Sequence, residues 1–392
     1  MREIRFGSGT RRGGEIAAAC RALIPRLRAL APEIEAASRL PDALVRELQQ
    51  IGAFRMTMPQ ALGGPEADPL TQIEIVEALS AGDASVGWVV MIGSDGGFYA
   101  SHLPDAVARE VYRDRDAVSA GVFVPSGRAR RVPGGYRVSG RWGFGSASLH
   151  AAWFGAGCLV VDPEAPARGP AAPVVRTMLV PAAEVKVLDT WRATGLAGSG
   201  SHDFEIADAF VPAERSFDLV HEAPRIDTPL YRFPWMVLVN ANGVPLGVAR
   251  AAIDAFRELA LQKRVPATGQ SLAQQATAQD AVGRAEALLG AARSYLFATV
   301  GELWEVLEAG QEASLELRAR FRLATLTSFR NSRDAVQLMY EMGGGSALYR
   351  TSPLDRHFRD ISTLAQHALV HARAYAEMGR AFLGLDPGTP LI

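Results

Sequence analysis

The chain has 392 residues, a length that corresponds to two or three domains. Hydrophobic residues make up 48% and charged residues 21%, the balance of a globular protein that buries a large core, which excludes disorder as the main state. Lys and Arg number 41 against 42 Asp and Glu, so the formal net charge of −1 supplies no basic field for nucleic acid.

The two cysteines and the N-terminal stretch indicate a compartment. Cys20 and Cys158 lie far apart without CxxC spacing, so neither a disulfide framework nor a zinc cluster is predicted, and a reducing compartment fits. The first twenty residues contain arginines but no continuous apolar segment, and no apolar run approaches the ~18 residues of a membrane span. We therefore expect a cytoplasmic protein with neither a membrane nor a nucleic acid as partner.

Residues 1–116 predict an N-terminal helical domain. A first helix contains Pro25, which is expected to kink or split it. A second helix begins near Pro41 and stops at Gly52, and a third runs from about Leu70 to Ser80. Asp83 or Ser85 is expected to cap the next helix. The apolar residues of the first helix recur at helical spacing: Ile16, Cys20, Leu23, Ile24, Leu27 and Leu30.

Residues 117–222 predict a middle β-domain. The hydrophobic period changes from helical to two, so that Tyr136 and Val138 share one face of a strand. Short β-rich runs follow, separated by Gly, Pro and Asp. The Pro- and Ala-rich stretch 162–173 is interpreted as a surface hairpin loop.

Residues 223–392 predict a C-terminal helical bundle. No proline lies between Pro266 and Pro353, and this segment is rich in Ala, Leu, Arg and Glu, as long helices require. Two stripes at helical spacing mark buried faces: Leu288, Leu289, Ala292, Tyr295, Leu296 and Thr299, and then Phe321, Ala324, Thr325 and Ser328.

Several site signatures are missing. The chain has no GxGxxG after a strand, no GxxxxGK[ST] and no GxSxG, which argues against a Rossmann dehydrogenase, a P-loop enzyme and an α/β-hydrolase. His367 and His371 form an HxxxH pair preceded by Asp360. On one helix Asp360 and His371 would be about 16.5 Å apart, at ~1.5 Å per residue, so no metal site is predicted.

Ordered segments carry a family resemblance across nearly the whole chain. They are PDALVRELQQIGAFRMTMPQALGGPEADP, GDASVGW, GGYRVSGRWGFGSAS, DTWRATGLAGSGSHDFEIADAFVP, RVPATGQSLAQQATAQD, GGGSALYRTSPLDRHFRDISTLAQH and LGLDP. In order and spacing they resemble the acyl-CoA dehydrogenase fold superfamily, and within it the reduced-flavin-dependent monooxygenases of two-component systems. The resemblance implies a mostly α fold with an N-terminal helical domain, a central β-barrel-like domain and a C-terminal four-helix bundle.

The resemblance also implies flavin contacts. Phe144 matches the aromatic residue that packs on the flavin ring, and Ser146 the hydroxyl near its N5 and C4 edge. Trp191 falls where the family often places an aromatic residue near the flavin, although a buried core Trp fits equally well. Ala147 stands where the monooxygenases usually have Gly, so either the loop shifts slightly or this position takes an ordinary φ.

A second group matches the family's phosphate contacts. Arg264 corresponds to an arginine that reaches a flavin phosphate, where a guanidinium makes charge-assisted bonds. Gly344, Gly345 and Ser346 match a glycine-rich turn whose bare backbone can approach a phosphate or a neighbouring subunit.

The last motif separates the branches of the superfamily. Acyl-CoA dehydrogenases place a glutamate base soon after the RD motif, whereas the residues from Arg359 to Ala368 contain no Glu, and His367 stands there instead. The monooxygenase branch has a His in this place. Imidazole, with a pKa near 6.5, can accept a phenol proton near neutral pH, so His367 is predicted as the catalytic base beside Ser146. His371, about one turn further on, is expected either to line the same pocket or to face solvent.

The resemblance therefore implies hydroxylation of an aromatic or polyketide-like molecule through a flavin C4a-hydroperoxide. Reduced FMN, with FAD as the alternative, is expected from a separate NAD(P)H:flavin reductase, because the chain has no nicotinamide fingerprint. O2 and a small aromatic substrate complete the reaction. A homotetramer built as a dimer of dimers is expected.

Three other interpretations stay open at this stage. One is an FAD-dependent acyl-CoA dehydrogenase with its base on a bundle helix, where Glu302, Glu305 and Glu308 lie. Another is N- or S-oxygenation on the same fold, which would make His367 less important. The third is a non-enzymatic relative that binds no flavin.

Overall fold

The computed structural model describes residues 10–161, 174–266 and 269–389. The hairpin loop expected over 162–173 lies outside the described residues. Within them, helices come first, strands occupy the middle of the chain, and helices return in the last part.

Six helices form the N-terminal part. They are α1 (Arg11–Ala37), α2 (Asp42–Ile51), α3 (Pro69–Gly82), α4 (Ala84–Gly93), α5 (Gly96–His102) and α6 (Asp105–Val111). Pro25 and Pro32 both lie inside α1, so the chain does not split there. The buried face of α1, which includes Leu27 and Ile34, packs on α3, and this packing offsets the backbone hydrogen bonds that the prolines remove.

The predicted helix ends are confirmed. α2 stops at Gly52, whose φ of 85° is the left-handed conformation that glycine adopts without a Cβ penalty. The helix predicted from Leu70 is α3. Asp83 caps α4, because its side chain accepts a hydrogen bond from the backbone N–H of Val86.

The middle part is a single seven-stranded sheet. Its strands are β1 (Ser119–Val132), β2 (Gly135–Gly145), β3 (Trp153–Val161), β4 (Val175–Pro181), β5 (Lys186–Leu188), β6 (His202–Pro212) and β7 (Ser216–Phe217). They are ordered β5-β6-β2-β1-β3-β4-β7, with β1 and β3 parallel and the other neighbours antiparallel. Tyr136 and Val138 are both buried, as the alternation predicts.

The last part contains the helical bundle. Its helices are α7 (Pro229–Arg232), α8 (Gly243–Gln262), α9 (Ala276–Glu308), α10 (Leu315–Gly343), α11 (Pro353–Leu364) and α12 (Ala374–Phe382). The proline-free segment supplies the long pair α9 and α10, which pack on each other, on α8 and, through α10, on α11. The predicted stripe on α10 is fully buried, and that on α9 is buried except for Leu288 and Tyr295, which are half-buried.

One segment, Pro234–Gln262, is long and apolar enough to cross a membrane by length and composition alone. Its apolar window is 89% buried within the protein, which is the behaviour of a core helix. The sequence-based expectation of no such segment rested on continuous apolar runs. It missed this segment because a few polar residues interrupt every such run.

Trp142 organises the core of the sheet. Its ring stacks on Phe204 at 5.1 Å between centroids, and its Nε1–H donates to the carbonyl of Gly157 at 2.7 Å. Gly127 lies so close that an added Cβ would meet the Trp142 ring at 2.1 Å. The ring therefore fills its space completely, and its removal would leave a cavity.

We expect Trp142→Ala to decrease the free energy of unfolding by about 3 to 5 kcal/mol, because it removes a fully buried ring and leaves a buried carbonyl unpaired. Phe210→Ala, on the neighbouring strand β6 with its side chain 49% exposed, is the matched control and should cost less than about 1 kcal/mol. Denaturant unfolding measures both variants. Equal losses would show that the sheet core does not depend on this ring.

Candidate active site

A strained turn at the end of β2 presents Ser146. Phe144 and Ala147 have φ values of 63° and 62°, in the left-handed region that non-glycine residues rarely adopt. The backbone N–H of Ser146 donates to the carbonyl of Phe144 at 2.9 Å. The sequence predicted either a small shift of the loop or an ordinary φ at Ala147, and the prediction of an ordinary φ is wrong. The methyl group is instead buried, so packing holds the residue in this conformation.

The hydroxyl of Ser146 is buried in a chain of polar groups. Ser199 Oγ donates to the carbonyl of Leu196 at 2.7 Å. The hydroxyl of Ser201 lies 2.8 Å from that of Ser199 and 2.7 Å from that of Ser146. Since each hydroxyl has one proton, Ser201 donates to Ser199 and Ser146 donates to Ser201. Trp88 Nε1–H donates to Ser146 Oγ at 2.8 Å. Ser146 therefore has one free lone pair and no proton left to donate.

An aromatic pair stands beside this turn. Phe144 is 77% exposed, and its ring meets the half-buried Trp191 ring edge to face, with 6.4 Å between centroids. Trp191 Nε1–H donates to the carbonyl of Leu196 at 3.1 Å. Two flat apolar surfaces next to a buried hydroxyl are the surroundings that a flavin ring requires.

His367 lies just after the bundle helix rather than on it. α11 ends at Leu364, and His367 precedes a short 3₁₀ turn, Ala368–Val370. Its Nδ1 accepts a hydrogen bond from the backbone N–H of Leu369 at 3.3 Å. The neutral ring therefore has its proton on Nε2, the nitrogen that this turn leaves available. Burial and the positive charge of Arg322 lower the pKa of His367 to about 4.

Trp88 connects Ser146 with His367. While its Nε1–H bonds Ser146, its ring meets the imidazole edge to face, with 5.3 Å between centroids. Three distant parts of the chain therefore meet at one indole. The GDASVGW segment did not identify the partners of Trp88, because periodicity says nothing about which side chains a buried indole joins.

His371 faces solvent, and its Nδ1 accepts from the backbone N–H of Arg373 at 3.2 Å. His367 and His371 flank a 3₁₀ turn, so the assumption that they share one helix with Asp360 is wrong. In the ranges that the structure describes, no group of three His, Cys, Asp or Glu could hold a metal ion.

Asp360 holds the loop that carries Trp191. Its carboxylate accepts the backbone N–H of Leu196 at 2.7 Å, and the loop lies so close to α11 that a Cβ on Gly195 would meet the carbonyl of Arg359 at 2.1 Å. Burial and the nearby carboxylate of Asp83 raise the pKa of Asp360 to about 7. Sequence reasoning used Asp360 only as a rejected metal ligand.

The predicted phosphate contacts form a separate group. Arg264 is exposed, and its backbone forms an isolated antiparallel β-bridge with that of Ser271. The neighbouring Lys263 donates its Nζ–H to the carbonyl of Gly343 at 2.9 Å, at the start of the glycine turn. Gly344 has a φ of 54° and Gly345 faces open space, while Ser346 is half-buried.

Over the described residues, no hydrogen bond, ion pair or ring contact links this group to the cluster of Ser146, Trp88 and His367. The residues present nevertheless suit the two ends of a flavin. The exposed Phe144 ring and the free lone pair of Ser146 fit the ring system. Exposed Arg264 and the open space at Gly345 fit a phosphate.

Comparisons with known proteins agree with this architecture. Residues 15–103 match the N-terminal domain of acyl-CoA dehydrogenases, and residues 241–372 match the acyl-CoA dehydrogenase C-terminal domain. The fold class expected from the sequence is confirmed.

Individual relatives span almost the whole chain. An indole-3-acetate monooxygenase from Pseudomonas putida is 30% identical over 366 residues, covering 92% of each chain. The oxygenase subunit HsaA of a flavin-dependent monooxygenase from Rhodococcus jostii is 30% identical, covering 93% of this chain and 97% of its own. The structure of XiaF from Streptomyces in complex with FADH2 and glycerol superposes with a TM-score of 0.87 at 28% identity, covering 96% of this chain and 97% of its own.

We expect Asp360→Asn to gain stability relative to the natural protein as the pH rises. A carboxyl whose pKa is raised on folding binds its proton more tightly in the folded state, so its contribution to the free energy of unfolding falls between about pH 4 and pH 7. Asparagine does not titrate, yet its side-chain oxygen can still accept the Leu196 N–H. The difference should change by about 1 to 4 kcal/mol over this window and stay constant above it.

Denaturant unfolding at pH values from 4.5 to 8.5 measures this difference. Asp280→Asn, an exposed position on α9, is the control and should change stability by less than about 0.5 kcal/mol at every pH. A difference for Asp360→Asn that does not vary with pH would contradict the raised pKa.

Proposed function

We propose that this chain, which belongs to the flavin-dependent monooxygenases of the acyl-CoA dehydrogenase fold, is an oxygenase component that hydroxylates a small aromatic molecule. The observation that carries the proposal is the arrangement around Trp88, whose indole contacts the hydroxyl of Ser146 through Nε1–H and an imidazole rather than a carboxylate through its ring. A dehydrogenase needs a carboxylate to remove the α-proton of a thioester. An oxygenase needs a neutral hydrogen-bonding group near the substrate.

The flavin would supply two electrons to O2, so that one oxygen atom replaces hydrogen on the substrate ring and the other leaves as water. Phe144 and Trp191 would pack on the ring system. Arg264 and the turn containing Gly344, Gly345 and Ser346 would bind the phosphate end. FMN stays the prediction from the sequence, and FAD is the alternative that the FADH2 complex of the similar XiaF supports.

Ser146 suits a reduced flavin better than an oxidised one. Its proton is donated to Ser201, so the hydroxyl can accept a hydrogen bond but cannot give one. Reduced flavin has an N–H at N5, whereas oxidised flavin has only a lone pair there. The hydroxyl would therefore favour the form of the cofactor that a reductase delivers.

His367 would act as a neutral hydrogen-bond donor. Since its Nδ1 accepts the Leu369 N–H, the Nε2–H is the group available to a substrate oxygen or the oxygen being transferred. The lowered pKa of about 4 keeps the ring neutral at physiological pH. This proposal differs from the role expected from the sequence, in which His367 removes a phenol proton. The donated hydrogen bond stabilises negative charge on that oxygen without a full proton transfer.

The acyl-CoA dehydrogenase alternative expects its base among three glutamates of α9, and their positions do not suit that role. Glu302, Glu305 and Glu308 are all exposed, and Glu302 forms an ion pair with Arg320 at 2.6 Å. A base for α-proton removal has to be enclosed with its substrate, so none of these residues suits that role.

The oxygenase-component names of relatives support a separate NAD(P)H:flavin reductase as partner. A homotetramer, assembled as a dimer of dimers through the bundle, and a cytoplasmic location complete the proposal. Exposed apolar side chains just after the glycine turn and near the C-terminus suit burial between subunits: Leu348, Tyr349, Phe382 and Leu383.

We expect the purified chain, supplied with NADH, a flavin reductase, FMN or FAD and O2, to hydroxylate an aromatic acid or phenol. With ¹⁸O2 the product mass should increase by one labelled oxygen atom, and comparison of the two flavins selects the cofactor. The opposite result would be a chain that retains oxidised FAD, loses its colour when an acyl-CoA is added without O2, and incorporates no label. That outcome would favour the dehydrogenase.

We expect His367→Asn to keep reduced-flavin binding within about threefold while lowering the hydroxylation rate by about 10² to 10⁴-fold. Asparagine preserves the turn, because its side-chain oxygen can accept the Leu369 N–H, but it removes the imidazole. NADH consumption should continue with release of hydrogen peroxide. Unchanged hydroxylation would exclude His367 from the reaction.

The protonation of His367 can be tested separately in the natural protein. Its ring signal in the NMR spectrum, identified by its loss in His367→Asn, should titrate below pH 5 because burial disfavours the charged form. A midpoint near 6.5 would contradict the neutral-donor role.

A further inference from the structure

Among the residues that the structure describes, the buried cation Arg322 has no bonded partner. It lies on α10 and is 5% exposed. Its Nε–H is buried without a hydrogen bond, and the guanidinium forms no ion pair with any carboxylate in the described part of the chain. Arg250 and Arg320 also have a buried Nε–H without a hydrogen bond, but each is paired with a carboxylate, Arg250 with Glu286 and Arg320 with Glu302.

A cavity borders this guanidinium. Trp235 and Phe321 provide aromatic walls, Leu238 and Leu369 aliphatic ones, and Thr325 a hydroxyl. A buried charge facing aromatic walls is a polar anchor in an otherwise apolar pocket.

The cavity adjoins the proposed active site. Leu369 lines it, and the backbone N–H of the same residue donates to Nδ1 of His367. Arg322 is also close enough for its charge to lower the pKa of His367. A molecule in the cavity would therefore contact the guanidinium and Leu369, the residue next to the turn that holds the imidazole.

The nearest acidic group does not neutralise Arg322. Glu377 raises the pKa of Arg322 through space, while burial lowers it by more. Glu377 forms its ion pair with Arg373, at 3.5 Å. An unpaired buried charge costs several kcal/mol, so the site favours a ligand that brings a negative charge.

We propose that Arg322 binds the carboxylate of the substrate, so that the molecule hydroxylated at this site is an aromatic acid. The inference rests on the proposed function and names its substrate class. A carboxylate fits the guanidinium fork with two parallel hydrogen bonds and is ionised at pH 7. A simple phenol, with a pKa near 10, enters neutral and leaves the cation uncompensated.

Binding to the flavin-free protein tests this assignment without turnover. Isothermal titration calorimetry should compare two isosteric pairs: indole-3-acetate with indole-3-acetamide, and phenylacetate with phenylacetamide. Each pair differs only in the charge of the anchoring group. We expect at least one acid to bind 10-fold or more tightly than its amide, as a charge-assisted pair predicts. Equal affinity within both pairs, or no binding of any of the four, would overturn the proposal.

Variants then assign the effect to the guanidinium. Arg322→Gln should weaken binding of the acid by about 10- to 100-fold and change binding of the amide by less than about threefold. Arg322→Lys retains the charge and should recover part of the loss. Arg333→Gln, which removes a half-buried arginine paired with Asp334 on the same helix, should leave both affinities unchanged. If Arg322→Gln does not fold, the acid and amide comparison in the natural protein and Arg322→Lys still decide the question.

The outcome is separable from that of the proposed function. If Arg322→Gln binds the acid as the natural protein does, while ¹⁸O still enters a neutral phenol such as resorcinol, the carboxylate assignment is wrong and the monooxygenase assignment stands. If no aromatic molecule is labelled but the acid preference is present, the reaction is wrong and the anion site stands.

Discussion

The contact on which the site depends is the indole of Trp88. Its Nε1–H bonds the hydroxyl of Ser146 at the end of a strand, and its ring packs edge to face with His367, just after α11. One side chain of the N-terminal helices therefore sets the separation of the two groups proposed to face the flavin and the substrate. Because Trp88 donates a proton that Ser146 must accept, it also determines the direction in which the serine hydroxyls point.

The buried charged groups around this contact have two different roles. Asp360 and Asp83 are satisfied by backbone N–H groups, and each supports a segment that reaches the site: Asp360 the loop with Trp191, and Asp83 the helix with Trp88. Burial disfavours the ionised form of both carboxyl groups, which raises their pKa values. Arg322 has no such partner in the described chain. A structural charge is matched within the fold, whereas a binding charge is left for its ligand.

Local sequence patterns were sufficient for most of the fold. Gly52 and Asp83 marked helix ends correctly because capping depends on a few adjacent residues. The change to period two located the strands for the same reason. Packing overrides local preference at three places: α1 is not split at Pro25, Ala147 adopts a positive φ rather than an ordinary one, and the HxxxH pair flanks a turn instead of lying on a helix.

By itself the sequence determined the order of helical and β regions, the branch-specific His367 in place of a glutamate, and the set of residues that resemble a flavin site. Only the tertiary structure decided that Trp88 joins Ser146 to His367, which nitrogen of His367 is available, and that no described side chain pairs with Arg322. These features depend on contacts between residues far apart in the chain and on how many hydrogen bonds each buried group makes. Neither quantity is encoded in local periodicity or in a motif, because both arise only when the three parts of the chain pack together.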